Sequence, residues 1–336
     1  MAKGRFTDRW LTKLQSSAPA DFEGLAMEAF HYQAQHNELY RSYLDLLHKD
    51  PVSIQQSDEI PFLPISFFKN RTIKTKDWPA VAIFSSSSTT GQQPSLHHLR
   101  SAPLYEAVSR QGFETFYGDL SQYCVLALLP SYLERSGSSL VYMADYFIRQ
   151  SSYKASGFFL HELEELVKKL QDCLANNTPT LLLGVSFGLL NLAEKYPMPL
   201  GNTIVMETGG MKGRRKEMTR EALHEQLMSA FQVPKIHSEY GMTELFSQAY
   251  SKGDGLFYPS PTMRVRGRDI TDPLSSQTVG QTAAINIIDL ANIDTISFIA
   301  TDDLGQVYAD DSFRILGRLD HSDIRGCNLM VLDDVK

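Results

Sequence analysis

Between residues 123 and 230, short apolar runs alternate with longer amphipathic stretches, and this alternation constrains the fold more than any other feature. YCVLALLP (123–130), TLLLGVS (180–186) and NTIVMETGG (202–210) read as buried strands ending in loops. FFLHELEELVKKLQDCL (158–174) and residues 217–230 read as helices. Strand–helix alternation of this kind predicts α/β layers with largely parallel pairing.

The flanking segments extend this pattern. Residues 21–48 place Phe22, Leu25, Ala29, Tyr32, Leu39, Tyr43 and Leu46 near i, i+3, i+4, i+7 spacing, which predicts a helical stretch with a core-facing stripe. Prolines at 51, 61, 64 and 79 fix φ and remove donors, so an extended connector follows. VAIF (81–84) predicts a short buried strand that runs into SSSSTTGQQPS. TAAINIIDL (282–290) and TISFIATDDLG (295–305) predict a strand pair joined by a turn at 291–294. Neither an internal repeat nor an obvious linker divides the chain.

With 336 residues, 43% of them hydrophobic, the chain can bury a large core in one large or two smaller domains. The formal net charge of −7 argues against general nucleic-acid binding, which needs a basic footprint. Three cysteines, Cys124, Cys173 and Cys327, lack CxxC spacing and make neither a disulfide framework nor a zinc site. A reduced, cytoplasmic setting is expected. The first residues, MAKGRFTDRW, lack the apolar stretch of a signal peptide. No run approaches the roughly 18 apolar residues of a membrane span. The nine histidines show no HExxH pairing, and no transition-metal site is expected.

Four loops carry the chemistry. In the first, Ser87, Ser88, Thr89, Thr90 and Gly91 follow a strand, and small hydroxyl residues with a glycine let backbone N–H groups cradle phosphate oxygens. The Walker A pattern is absent. The second is HSEYGMTE (237–244). There Tyr240 offers a ring to a base, Gly241 a close backbone approach, Thr243 a hydroxyl, and Glu244 a hard oxygen for Mg²⁺. The third, TDDLG (301–305), puts carboxylates at what reads as the carboxyl end of a strand, where α/β sheets bind ligands. The fourth runs from Gly317 and Arg318 through Asp320 to Arg325, Gly326 and Cys327, a turn able to meet phosphate or carboxylate. Singly, each also reads as an ordinary polar turn.

In order and spacing, the four resemble the motif series of the adenylate-forming superfamily of acyl-CoA synthetases, adenylation domains and beetle luciferases, over residues 80–328. YGMTE at 240–244 is the most specific piece. Within that superfamily the chain is most similar to the acyl-protein synthetases of bacterial fatty acid reductase, through IPFLPISFFKN (60–70), ETGGMKGRRKE (207–217) and the ending RGCN.

The resemblance implies an α/β fold, the large N-terminal-type domain of adenylate-forming enzymes with mixed sheets flanked by helices. The mobile C-terminal domain, about a hundred residues in most members, is expected to be missing. A helical and extended region, 1–80, would precede a core, 81–336, packed as one continuous unit.

The implied reaction activates a carboxylic acid, in this branch a fatty acid, with ATP and Mg²⁺, and then transfers the acyl group to a protein thiol. The implied roles are Tyr240 against adenine, with Gly209 and Gly210 passing close to it. Asp303 would hold ribose, Thr243 the α-phosphate, Glu244 the metal and Ser87–Gly91 the outer phosphates. Arg318 would reach ribose or phosphate, Gly241 would admit the nucleotide, and Asp320 would mark a hinge. Cys327, beside Arg325, is the expected acyl acceptor, and an acyl reductase or another acyl-accepting protein the partner. Cys124 and Cys173 are expected to be inert core.

The chain departs from the family in one respect. Where many members carry a lysine after the TTGxP core, this chain has Gln93-Pro94-Ser95. His97, His98, Arg100, Arg214 and Arg215 are the candidate replacements for that positive charge. Two other readings stay open: adenylation of an aryl or other acid for coenzyme A or a carrier, and a nucleotide-binding scaffold without catalysis.

Overall fold

The computed structural model describes residues 6–16, 21–86, 93–130, 137–209 and 218–319. In chain order, helices α1 (Phe6–Ser16), α2 (Phe22–His36) and α3 (Glu38–Leu46) lead to β1 (Leu63–Pro64) and α4 (Phe67–Asn70). β2 (Ala82–Ser85) and β3 (Leu96–Leu99) follow. The alternating region comprises α5 (Ala102–Tyr117), β4 (Cys124–Leu128), α6 (Ser139–Gln150), β5 (Gly157–Phe158), α7 (Leu163–Ala175), β6 (Thr180–Val185), α8 (Ser186–Lys195), β7 (Ile204–Thr208) and α9 (Arg220–Phe231). β8 (His237–Tyr240), β9 (Ala249–Ser251) and β10 (Tyr258–Pro259) close that unit. β11 (Met263–Arg268), β12 (Thr282–Asp289), β13 (Phe298–Val307) and β14 (Phe313–Arg318) complete the described chain.

One sheet has the order β10-β9-β8-β7-β6-β4-β5. Its pairs β5/β4, β4/β6, β6/β7 and β7/β8 are parallel, and β8/β9 and β9/β10 are antiparallel. Helices cover both faces of its centre, so β4 and β6 are apolar almost throughout. On β4, Val125 and Ala127 join the core under α5 and α6 with Val108, Phe113 and Phe147. Cys124, Leu126 and Leu128 face the other way, toward Leu166, Leu189 and Leu227 of α7, α8 and α9. This is the physical origin of the alternation in the sequence.

A second sheet runs β1-β13-β12-β11, with β14 also paired to β13. The expected strand pair at 282–305 forms as the antiparallel β12 and β13, joined through a 3₁₀ turn at Leu290–Asp294. That turn receives the N-terminal helices: Trp10 Nε1 donates to the Leu290 carbonyl at 2.8 Å, and Gln33 Nε2 donates to the Asn292 and Ile293 carbonyls at 3.1 Å. The two sheets meet where Phe257 and Phe313 exchange backbone hydrogen bonds of 2.8 and 2.9 Å and their rings stack.

The structure corrects three expectations about elements and refines a fourth. Residues 21–48 are helical as expected, but the stretch is interrupted. Asn37 breaks it, because its Oδ1 accepts from Tyr40 N at 3.0 Å and caps α3, while its Nδ2 donates to the Thr295 carbonyl at 2.8 Å. The 158–174 helix begins only at Leu163, because Gly157 and Phe158 pair with β4. The 81–84 strand is not buried throughout: it pairs with β3 alone in a two-stranded ribbon and leaves Val81 and Ile83 exposed. Finally, TDDLG is neither a turn nor a strand end but lies inside β13. The ladder continues because β14 pairs alongside, Asp303 opposite Arg318.

Candidate active site

The last parallel strand, β8, delivers its carboxyl end to the loop Gly241–Gln248, beside the ends of β6 and β7. Ligands of parallel sheets bind at that edge. The loop's far end is anchored on the buried Asp289, whose carboxylate accepts from Phe246 N, Ser247 N and Ser247 Oγ at 2.8, 2.9 and 2.6 Å. Burial raises the pKa of Asp289, and these hydrogen bonds oppose the shift. Asn292 Nδ2 donates to the Glu244 carbonyl at 2.8 Å. On the other side the His97 ring lies between Thr243 and Thr295, with Nδ1 at 2.9 Å from the Thr243 carbonyl oxygen and Nε2 at 2.8 Å from Thr295 Oγ1. A carbonyl only accepts, so Nδ1 carries the proton.

Three expected site residues converge, from different sheets. Tyr240 Oη donates to Asp303 Oδ2 at 2.7 Å, and Arg318 Nε reaches Asp303 Oδ1 at 3.3 Å. Asp303 is 6% exposed, and the Arg318 side chain remains 65% exposed. The Tyr240 ring packs against Phe257 and against the edge of Phe313, at centroid distances of 5.8 and 5.3 Å. Burial, then the Asp303 carboxylate, raises the Tyr240 pKa well above its ordinary value, so the phenol keeps its proton. Gly305 serves the same arrangement, because a Cβ there would overlap the Arg314 carbonyl of β14.

Thr243 and Glu244 lie on the same loop, Thr243 half-buried and Glu244 buried. Gly241 is exposed on one side, but a Cβ added to it would overlap Glu239 Oε1. Gly209 directly follows β7, and its carbonyl accepts from Ser186 Oγ at 2.7 Å. Nearby, Glu207 lies 3.6 Å from Arg220 Nε and 3.7 Å from His224 Nε2.

The candidate replacements for the loop cation fare differently. His97 is fully buried, and burial pushes its pKa down to about 3, so it is neutral and cannot supply positive charge. Arg100 is committed to Asp294 at 2.8 Å. His98 points to the opposite face of β3 from His97, half-buried, with its pKa lowered by burial and by Lys74. Arg214 and Arg215 lie outside the described residues, as do Ser87, Ser88, Thr89, Thr90, Gly91, Gly210, Asp320, Arg325 and Cys327. Cys124 and Cys173 are buried free thiols, and burial, then Cys173, pushes the Cys124 pKa up to about 12. Such a thiol is a poor nucleophile.

Sequence reasoning missed Asp289 and Asn292, and it gave His97 the wrong task. An adjacent histidine pair without metal spacing carries no signal for a backbone clamp. Glu239 was also passed over, although its place immediately before YGMTE was a usable signal.

Residues 19–335 match the family described as acyl-protein synthetase, LuxE. The chain belongs to that family. No curated protein matches it. Among solved structures, this acyl-protein synthetase family member is similar to an open conformation of 2-hydroxyisobutyryl-CoA ligase in complex with 2-HIB-AMP and CoA. The TM-score is 0.68 at 12% identity, covering 90% of this chain and 70% of that one. It is also similar to ATP-bound MatB from Rhodopseudomonas palustris, with TM-score 0.52, 16% identity, and coverage of 73% and 50%. The O-succinylbenzoate coenzyme A synthetase MenE from Bacillus subtilis, in complex with AMP, matches with TM-score 0.50 at 16% identity, covering 73% and 50%. The match thus spans about half the length of the MatB and MenE chains. At these identities the likeness establishes the fold, that of adenylate-forming ligases. Among the described residues, no helix is long and apolar enough to cross a membrane.

Proposed function

We propose that this chain activates a carboxylic acid with ATP and then transfers the acyl group to a protein thiol. The carboxylate oxygen attacks the α-phosphorus, the bond to the β-phosphate oxygen breaks, and pyrophosphate leaves. A thiolate then attacks the acyl carbon and AMP leaves. The observation that carries this reading is the Tyr240–Asp303–Arg318 convergence beside the Thr243–Glu244 loop.

In this reading Asp303, oriented by Tyr240, accepts from the ribose hydroxyls, and the Tyr240 ring and Gly209 border the adenine. Thr243 contacts the α-phosphate, and Arg318, largely exposed beside Asp303, reaches ribose or phosphate. Ser87–Gly91 hold the outer phosphates. The donor set fits Mg²⁺, which takes one or two carboxylates and completes its shell with phosphates and water. Glu244 supplies such a carboxylate, and no group of three His, Cys, Asp or Glu among the described residues competes as a protein-only cage. Held by Glu244, Mg²⁺ would supply neutralisation of phosphate charge. Positioning and charge stabilisation carry the catalysis. Cys327 is the proposed acyl acceptor, an acyl reductase the proposed partner, and a fatty acid the class suggested by the family.

ATP–pyrophosphate exchange across fatty and aromatic acids tests the first half. Exchange dependent on an acid and on Mg²⁺, and lowered on the order of 100-fold in Glu244→Gln, is expected. Labelled acid retained on denatured protein and lost in Cys327→Ala tests the second. Exchange with no acid would leave a nucleotide-binding scaffold.

A further inference from the structure

On β8, Tyr240 turns toward Asp303 while Glu239 turns to the opposite face, under α5. Its register neighbours are Thr208 of β7 and Tyr250 of β9. Thr208 Oγ1 donates to Glu239 Oε2. The other carboxylate oxygen lies over Gly241, at the root of the Thr243–Glu244 loop. Gln248, whose Cγ would lie 3.7 Å from a Cβ on Gly241, sits beside it.

Two polar atoms of this cluster have no hydrogen-bond partner among the described residues: Gln248 Oε1 and Tyr250 Oη. Their residues are 3% and 1% exposed. Both gather at Gly112 of α5, where an added Cβ would meet Tyr250 Cε2 at 3.7 Å and Gln248 Oε1 at 3.9 Å. The Gln248 amide cannot turn around without loss, because its Nε2 already donates to the Phe246 carbonyl at 2.8 Å. A buried polar atom left unpaired forfeits its hydration without return, so each such atom calls for an explanation. No cation among the described residues pairs with Glu239, and the charge acting on it, Glu207, is of like sign.

A carboxyl, an amide oxygen and a phenol next to the adenylation loop form an acceptor-rich floor. We infer that the acid activated by this chain carries a hydrogen-bond donor, a hydroxyl or an ammonium, received by Glu239, Gln248 and Tyr250. The inference rests on the proposed function and refines its substrate class: an unsubstituted alkyl acid would leave Gln248 Oε1 and Tyr250 Oη unpaired. Sites that bond a substrate hydroxyl or amine reject the analogue lacking it far more strongly than an apolar pocket rejects a missing methylene.

The test compares three acids of equal chain length in exchange and, separately, in calorimetric binding: unsubstituted, hydroxylated and amino-substituted. A preference of at least about tenfold in kcat/KM for a donor-bearing acid is expected, and the hydroxyl and amino arms identify which donor is taken. Glu239→Gln and Tyr250→Phe, both near-isosteric, should shrink that preference, while Glu239→Leu should favour the unsubstituted acid. Equal use of all three acids, with the ratio unmoved in the variants, overturns the inference and leaves acid activation standing; the floor is then filled by water. Absence of exchange with every acid sinks the activity itself. Calorimetry then decides the inference alone: tighter binding of a donor-bearing acid sustains it, and equal or absent binding overturns it.

Discussion

The imidazole of His97 holds the main chain of Thr243, its Nδ1 at 2.9 Å from the carbonyl oxygen and its ring stacked on Phe246 at 4.1 Å. A buried, neutral histidine thus fixes the backbone of a loop whose side chains are proposed to meet phosphate. His97→Ala should cost roughly 3 kcal/mol of stability, from lost packing and two unmade hydrogen bonds, and should lower exchange by more than the stability loss explains. His97→Asn, which keeps a donor near Nδ1, should recover part of the exchange. The pH profile carries a second signature. With a folded pKa of about 3 against 6.5 unfolded, the unfolded chain takes up a proton first as pH falls. Stability from His97 is therefore whole above pH 6.5 and declines toward pH 3, by about 1.4 kcal/mol per unit. Chemical denaturation across that range should show a shallower acid limb in His97→Asn.

Tyr240→Phe removes the 2.7 Å hydrogen bond to Asp303 and little else. A hydrogen bond to a charged group contributes about 2 kcal/mol. The KM for ATP should therefore rise by roughly 30-fold, with a smaller change in kcat. An unchanged KM would separate Asp303 from the ribose.

Glu239 should make the fold sensitive to pH in the opposite sense. Burial, opposed by Thr208 and reinforced by Glu207, pushes its pKa up to about 7 from 4.5. Tyr105 of α5 and Tyr250 of β9 face it as well. The folded form keeps its proton while the unfolded chain loses it between pH 4.5 and 7. The contribution is therefore full below 4.5 and is lost by about pH 7, on the order of 3 kcal/mol. Denaturation midpoints of Glu239→Gln should lack this decline, and a parallel profile in both proteins would contradict the assignment.

Gly305→Ala should destabilise by at least about 2 kcal/mol, because the new Cβ would run into the Arg314 carbonyl rather than a movable side chain. Thermal unfolding measures it. A variant as stable as the parent would show that β14 has room to shift away from β13.

Where both faces of a strand are covered, the sequence shows it directly. CVLAL and TLLLGV are apolar without alternation because α5 and α6 lie on one side and α7, α8 and α9 on the other. YGMTE is less plain, since its residue types suit a loop meeting a nucleotide but singly also read as an ordinary polar turn. Asp303 was misplaced for a physical reason. Two aspartates after ISFIA look like the end of a strand, and only Tyr240 and Arg318, distant in sequence, make it possible to bury a carboxylate in the middle of one. Asn37 likewise looks helical until Thr295, 258 residues away, takes its amide. Partners that arrive from far along the chain leave no local mark.

The stacked pair Phe257–Phe313 is a seam between two sheets, with Tyr240 on one bank and Asp303 on the other. Neither bank alone holds the tyrosine–carboxylate pair. A population of molecules with the seam parted would retain intact strands and an intact loop, yet would lose the proposed ribose site. Competence at this locus is thus tied to the docking of the two layers, and agents that loosen the seam should silence nucleotide binding before they erase secondary structure.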